Sequence, residues 1–259
     1  MKKRIEDFTV TENRRLTDSF HVIKLTAATP LPEILPGQFV QALVSDSPGT
    51  FLRRPLSVHD VDVSENTLSL LIQIAGKGTE HLSRLQPGEK LNLIYPLGNS
   101  FTLPKKGESV LLTGGGCGMA PLFYLGRKVI ESGAYPHFAL GFRNRSRIIG
   151  NEEFRKLGKV HLATEDGSEG YRGFVTGIPA FREENWDRVY SCGPEAMMKA
   201  VAAECLRRDI FCEVSLENLM ACGIGVCLCC VVPTTSGNLC TCTDGPVFNV
   251  HNLKWQTSG

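Results

Sequence analysis

Ser109-Val110-Leu111-Leu112-Thr113-Gly114-Gly115-Gly116-Cys117-Gly118-Met119-Ala120-Pro121-Leu122 reads as a short apolar strand, a glycine turn and the start of an apolar helix that continues to Ile130. Downstream the same alternation recurs. Strand candidates lie at His137–Phe142, Val160–Ala163, Val189–Cys192 and Phe211–Ser215, and Pro194 to Arg208 reads as a helix with proline near its first turn. Strands alternating with helices imply a parallel sheet covered by helices. In such a sheet a glycine run after the first strand, at a helix N-terminus, is where a dinucleotide pyrophosphate binds. The run is not a full G-x-G-x-x-G, because Met119 takes the third glycine position. A tight strand–helix turn without a ligand is the competing reading.

Upstream the pattern differs. Apolar stretches at Phe8–Val10, Phe20–Leu25, Phe39–Val44, Leu68–Ile74 and Leu91–Ile94 are separated by turn formers, among them Pro36-Gly37, Ser47-Pro48-Gly49 and Pro87-Gly88. Helical periodicity is weak, apart from a turn at Thr79–Leu85. That spacing predicts a small antiparallel barrel or sandwich. Two of its segments suit an anionic ligand. Arg53-Arg54-Pro55-Leu56-Ser57-Val58 sets a cation and a hydroxyl on one extended piece, and Gly76-Lys77-Gly78-Thr79 joins a strand to a helix start with free N–H groups. A surface arginine and an ordinary glycine turn are the bland alternatives.

Past the α/β region come Cys222-Gly223-Ile224-Gly225-Val226-Cys227-Leu228-Cys229-Cys230, then Cys240 and Cys242, which together hold six of the ten cysteines. Cys222, Cys227 and Cys230 give C-x4-C-x2-C, the start of the plant-type [2Fe–2S] spacing, with Cys242 or Cys240 as fourth ligand. Gly223 and Gly225 suit a loop that needs positive φ. Zinc prefers two separated Cys pairs with short spacings, which this run fits poorly. Disulfides fit poorly too, since a cysteine cluster without a secretory signal more often binds metal or does redox chemistry.

Composition narrows the class. A chain of 259 residues suits two modest domains and an appendage, and 42% hydrophobic residues suffice for ordinary cores. The net charge of +1 gives no field for nucleic acid or an anionic membrane. Met1-Lys2-Lys3-Arg4 is basic, but Glu6 and Asp7 follow at once with no apolar h-region, and no apolar run is long enough to span a bilayer. A cytoplasmic location is expected. The fold expectation is α+β and multidomain: residues 1–103 an antiparallel β-barrel, 104–214 a Rossmann-like parallel α/β domain, and 215–259 a small cluster-binding segment.

The order of these pieces is more specific than any one of them. Arg54-Pro55-x-Ser57 resembles the flavin domain of the ferredoxin–NADP reductase superfamily. Gly114-Gly115-Gly116-x-Gly118-x-Ala120-Pro121-Leu122 and Cys192-Gly193-Pro194 resemble its nicotinamide domain. With the cysteine segment and its tail Cys242-x-Asp244-Gly245-Pro246-Val247-Phe248, the whole chain resembles the electron-transfer subunits of class B, NAD-dependent dihydroorotate dehydrogenases.

The resemblance implies three cofactors: FAD, a [2Fe–2S] cluster and NAD as electron acceptor. It implies that Arg54 pairs with the flavin pyrophosphate and that Ser57 lies near the isoalloxazine, with Pro55 and Leu56 between them. Leu71, Ile72 and Gln73 would run beside the flavin through backbone groups, and Gly78 and Thr79 would bind phosphate. Leu56 stands where many relatives have tyrosine, so no aromatic stack is supplied there. Gly115, Gly116 and Gly118 would approach NAD, with Cys192, Gly193 and Pro194 near the nicotinamide. Cys222, Cys227, Cys230 and Cys242 would ligate iron. Electrons would enter at the cluster, reduce FAD and leave to NAD+. The implied partner is an FMN-containing catalytic subunit that oxidises dihydroorotate, with two copies of each chain. A sulfide dehydrogenase or an electron-bifurcating transhydrogenase shares the module order; four available cysteines favour the dihydroorotate type over relatives that use an aspartate. Arg143, Arg145 and Arg147 follow the second strand of the nicotinamide domain, where they would either meet a 2′-phosphate or sit in solvent.

Overall fold

The structure, a computed structural model, describes residues 3–45, 47 and 49–255. Met1 and Lys2 of the basic start and Pro48 of the Ser47–Gly49 turn lie outside the described residues. The first module is a closed six-stranded antiparallel barrel. It is built from β1 (Arg4–Thr17), β2 (Phe20–Thr26), β3 (Phe39–Ala42), β4 (Arg54–Asp62) and β5 (Thr67–Gln73), then, after the short helix α1 (Lys77–Leu82), β6 (Lys90–Leu97). The strand order is β1-β2-β5-β4-β3-β6. Its core is the inward set Phe8, Val10, Ile23, Leu25, Val40, Val58, Leu70, Ile72 and Leu93. β1 is far longer than its apolar signal at Phe8–Val10, because most of its other residues face solvent at least in part.

The second module follows in the order β7 (Ser109–Gly115), α2 (Met119–Glu131), β8 (Tyr135–Phe142), α3 (Asn151–Arg155), β9 (Lys159–Thr164), β10 (Tyr171–Arg172), α4 (Pro179–Glu183), β11 (Arg188–Cys192), α5 (Glu195–Arg207) and β12 (Phe211–Ser215). The parallel strands stand in the order β10-β9-β8-β7-β11-β12. The order reverses between β7 and β11, and such a switch point is where open α/β sheets place a ligand, beyond the strands' carboxyl ends. Near-continuous apolar runs such as Val110-Leu111-Leu112, buried throughout, are what a strand covered on both faces needs.

The cysteine segment contributes a hairpin, β13 (Val231–Thr234) and β14 (Gly237–Cys240), and then β15 (Val247–Asn249). β15 pairs antiparallel with β12 and completes a seven-stranded sheet, so the chain returns from the cysteines to the α/β module. Polar bonds fix the modules to one another. Arg127 of α2 donates to Asp60 of β4 at 2.6 Å, Tyr124 Oη donates to the Ile34 carbonyl at 2.8 Å, and Glu213 accepts from Thr102 N–H and Oγ1, both at 2.8 Å. Asn99 binds the end of the cysteine segment: its Nδ2 donates to the carbonyls of Asp244 and Val247, and its Oδ1 accepts from Val247 N–H. Among the described residues no helix is long and apolar enough to cross a membrane.

Candidate functional site

A cleft of about 310 Å3 opens where the three modules meet. Pro55, Leu56, Ser57, Leu71 and Gln73 of the barrel line one wall, Cys117 and Ala120 of the glycine turn and α2 another, and Leu219, Met220 and Pro246 of the cysteine segment a third. That volume lies at the lower end of small-molecule sites. Alternation along β5 explains its lining: Leu71 and Gln73 turn to the cleft while Ile72 is buried in the barrel core. The β4 ladder stops at the Val58–Leu70 pair, so Leu71–Gln73 keep β2 as their only strand partner among the described residues. Their other backbone edge is left for a ligand.

The neighbouring arginines separate by role. Arg53 is committed to the fold, donating to the carbonyls of Gln41 and Asn92, both at 3.1 Å, and to Asn92 Oδ1 at 2.5 Å. Arg54 has no such partner among the described residues, and its guanidinium lies across Gly78: a Cβ there would stand 2.6 Å from Arg54 Nε. A cation, a glycine and the N–H groups of a first helical turn therefore meet at one place. The Thr79 hydroxyl is occupied by the turn itself. It accepts from the N–H of Ala75 at 2.9 Å and of Gly76 at 3.2 Å and donates to the Gly76 carbonyl at 3.0 Å, which leaves its backbone N–H for a ligand. An arginine–phosphate bond contributes roughly 1.5–3 kcal/mol. Arg54→Ala is therefore expected to weaken FAD binding at least about tenfold, measured by flavin fluorescence on dilution; unchanged affinity would remove Arg54 from the site.

At the switch point the glycines act on one another. A Cβ on Gly118 would fall 2.3 Å from the carbonyl carbon and oxygen of Cys192 and from Gly193 N. Gly115 packs on Pro194 and Met197, and Gly193, at φ +147°, packs on the Gly115 backbone. Gly116, at φ +57°, has only Gln73 Oε1 near its Cβ position, at 4.0 Å, so the glycine turn looks across at the end of β5. Cys192 is buried at the end of β11, and burial holds its thiol well above its usual pKa. Pro194 opens α5. Of the three arginines after β8, Arg145 faces Glu169 at 3.7 Å and Arg147 donates to Ser19 Oγ at 3.1 Å.

Cys117 and Glu217 of this cleft carried no role in the sequence reading. The Cys117 thiol donates to the Glu217 carboxylate at 3.4 Å. Burial pushes that thiol up to about 12, with the Glu217 charge adding to it, and the protein atoms crowded around Glu217 raise its own pKa although the residue keeps exposed surface. One hundred residues separate the two in sequence, and no spacing pattern links them.

The cysteines gather against the outer face of the barrel, where Phe39, Ile94 and Leu97 pack with Cys230, Cys240 and Cys242. Among the described residues no three Cys, His, Asp or Glu side chains converge on one point, as a single metal ion with three protein ligands needs. A [2Fe–2S] cluster asks instead for two pairs of thiolates, one pair per iron. The structure brings Cys222 beside Cys227, and Cys230 beside Cys242. Partial burial opposes the Cys222 thiolate, but N–H groups of Ile224, Cys227 and Val226 directed at the sulfur lower its pKa to about 6. Burial, and the Cys230 sulfur next to it, push Cys242 up to about 12. Gly223 and Gly225 both take positive φ, +69° and +87°, and each has a side chain against it, Gln41 and Thr243 respectively. Donor set, pairing and loop backbone fit the cluster. Cys240 also lies in the apolar packing beside Cys230, while Cys229 is exposed.

Residues 217–254 match the family pattern of the iron-sulfur cluster binding domain of dihydroorotate dehydrogenase B. The dihydroorotate dehydrogenase B (NAD(+)) electron transfer subunit of Shouchella clausii is 41% identical over 221 residues, which cover 83% of this chain and 85% of that protein. Its counterpart from Fusobacterium nucleatum is 35% identical over 259 residues, covering 97% and 99%. Among solved structures, that of an NADH-dependent reduced ferredoxin-NADP oxidoreductase, described for flavin-based electron bifurcation, superposes with a TM-score of 0.86 at 28% identity over 96% of this chain and 90% of its own. A ferredoxin reductase of carbazole 1,9a-dioxygenase shares the fold, with a TM-score of 0.70 at 22% identity over 81% and 67%.

Proposed function

This chain belongs to the family of dihydroorotate dehydrogenase B (NAD(+)) electron transfer subunits, and we propose that it conducts electrons from dihydroorotate oxidised on a separate catalytic subunit, by way of a [2Fe–2S] cluster and FAD, to NAD+ in pyrimidine biosynthesis. The observation that carries this reading is the convergence of three modules on one cleft, with flavin-side, nicotinamide-side and cysteine-segment residues in its walls. FAD exchanges electrons singly or with a proton as hydride, the cluster singly and NAD only as hydride, so a flavin between the other two converts one kind of transfer into the other.

The chain's own residues do the holding. Arg54 and the first-turn N–H groups of Gly78 and Thr79 grip the flavin pyrophosphate. Pro55, Leu56 and Ser57 with the free edge of Leu71, Ile72 and Gln73 seat the ring. Gly115, Gly116, Gly118, Cys192, Gly193 and Pro194 shape the nicotinamide approach, most of them by bringing β7 and β11 close enough for a dinucleotide to lie across their ends. Cys222, Cys227, Cys230 and Cys242 hold iron. The working division is a flavin barrel over 1–103, a nicotinamide domain over 104–214 and a cluster segment over 215–259.

The partner carries FMN and associates as two copies of each chain. Its docking surface is the apolar rim of the cysteine loop, where Leu219 is 86% exposed, Val226 77% and Leu228 64%. Exposed apolar residues concentrated around a redox centre exclude water once a partner covers them. None of the ten cysteines is in a disulfide, which suits a reducing cytoplasm. The likeness to the bifurcating oxidoreductase favours a second reading, in which the same modules serve that type of enzyme; the higher identity of the dihydroorotate dehydrogenase B subunits places it second.

The test is reconstitution. The chain alone is expected to reduce dyes with NADH and to leave dihydroorotate untouched. Adding the catalytic subunit yields dihydroorotate-dependent NAD+ reduction, and removing the cluster abolishes it. Full dihydroorotate:NAD+ activity in a cluster-free complex would break the proposed route.

A further inference from the structure

Gln41 sits in the middle of β3, and its side chain has no exposed surface. Its neighbours Val40 and Ala42 turn into the barrel core, so Gln41 points outward, on the face where Phe39 packs with Cys230, Cys240 and Cys242. Both atoms of its carboxamide, Nε2 and Oε1, are buried without a hydrogen-bond partner among the described residues. A buried amide is strongly disfavoured without partners, and each such group calls for an unseen one. The place it points to is the cysteine loop. A Cβ on Gly223 would stand 2.6 Å from Nε2 and 3.0 Å from Cδ, so the amide lies against the backbone that follows Cys222. Gly223 is thus glycine for two reasons, its φ of +69° and the amide in contact with it. The residue is also fixed in place: its carbonyl accepts from Arg53 Nη1 at 3.1 Å, and the strand is paired on both sides.

We propose that the Gln41 carboxamide donates an N–H hydrogen bond to sulfur on the Cys222 side of the [2Fe–2S] cluster, either a bridging sulfide or the Cys222 thiolate, and thereby sets the potential at which this chain accepts an electron. The inference rests on the cluster assignment made above. Hydrogen bonds to cluster sulfurs are among the determinants of their potentials. Reduction adds negative charge, and a fixed donor in a water-poor site stabilises the reduced state more than the oxidised one. The potential is therefore higher with the amide than without it. Gln41 acts here on electron affinity, while the four cysteines hold the iron.

Two variants test this in the complete complex. Gln41→Met keeps the length and shape of the side chain but donates nothing, and Gln41→Glu places an acceptor at the same position. EPR-monitored redox titration of Gln41→Met is expected to show the cluster intact and the equilibrium shifted about tenfold toward the oxidised form, a fall of about 59 mV for a one-electron couple. Gln41→Glu is expected to fall further as the pH is raised and the carboxyl ionises, because the ionised group only accepts. Comparing pulsed EPR in light and deuterated buffer, one exchangeable hydrogen coupling of the unaltered protein should be missing from Gln41→Met, while the FAD potential stays where it is. An unchanged cluster potential with the coupling retained would overturn the proposal and assign the amide to a buried water. If both variants keep FAD but assemble no cluster, Gln41 shapes the loop and the proposal is equally wrong. Absence of a [2Fe–2S] signal in the unaltered protein is a separate outcome, which would remove the cluster assignment itself.

Discussion

Replacing Cys222, Cys227, Cys230 or Cys242 by serine is expected to erase the visible and EPR signature of the [2Fe–2S] cluster while FAD stays fully bound. Dihydroorotate-dependent NAD+ reduction by the complex then falls to background, and NADH-dependent dye reduction persists, because that reaction needs only the flavin cleft. The separation follows from geometry. Arg54 and the β5 edge are in the barrel, and the cysteines sit outside it against Phe39 and Leu97. Cys230 and Cys242 are buried side by side, and burial together with the Cys230 sulfur opposes ionisation of Cys242. Iron relieves that opposition by binding both as thiolates, since metal binding displaces the proton. A serine hydroxyl holds its proton far more tightly, and the pair is broken. Cys229→Ser and Cys240→Ser are the controls. Cys229 is exposed as Cys227 is, but it stands outside the C-x4-C-x2-C spacing, and the Cys240 thiol shares the packing around Cys230 without the N–H of Gly225 that faces the Cys242 sulfur. Iron and sulfide analysis with the visible spectrum decides. A full cluster in Cys242→Ser together with loss in Cys240→Ser would exchange the two residues.

The second large effect is expected from Gly118→Ala. Its methyl would stand 2.3 Å from three backbone atoms of Cys192 and Gly193, and backbone cannot swing aside as a side chain does. Cys192 pairs with Gly114 across the β7–β11 ladder, so the clash pries open the switch point itself. Overpacking of this kind costs roughly 1–3 kcal/mol, or several degrees in Tm for a chain of this size. The larger consequence is functional: NADH oxidation is expected to fall more than tenfold, because this contact shapes the nicotinamide approach proposed above, while cluster content stays unchanged. Gly116→Ala is the comparison. Gly116 has open space around it, and its penalty is confined to holding alanine at φ +57°, about 1–2 kcal/mol. Thermal unfolding and steady-state NADH oxidation of the two variants separate the effects. Equal values for Gly118→Ala and the unaltered protein would show that the close packing of β7 on β11 does not matter.

The sequence alone determined the barrel, the parallel sheet and their order. Alternation and turn residues carry the first, buried apolar strands spaced by helices carry the second, and both signals are local. The C-x4-C-x2-C spacing could be read for the same reason, since cysteines within nine residues need only a loop to meet. β10 and β15 left no such mark: one is two residues long, and the other joins the sheet only because the cysteine segment folds back beside β12. Tertiary structure alone showed which of two adjacent arginines lacks a hydrogen-bond partner among the described residues. Successive side chains on a strand point to opposite faces, and only the neighbours of each face reveal that Arg53 meets Asn92 while Arg54 meets Gly78. It also decided what the buried polar groups face. Alternation sets Gln41 opposite Val40 and Ala42, and no local pattern places Cys117; neither says that the first meets Gly223 and the second Glu217. Those encounters depend on the docking of one module on another, through surfaces whose complementarity is written in shape rather than in spacing.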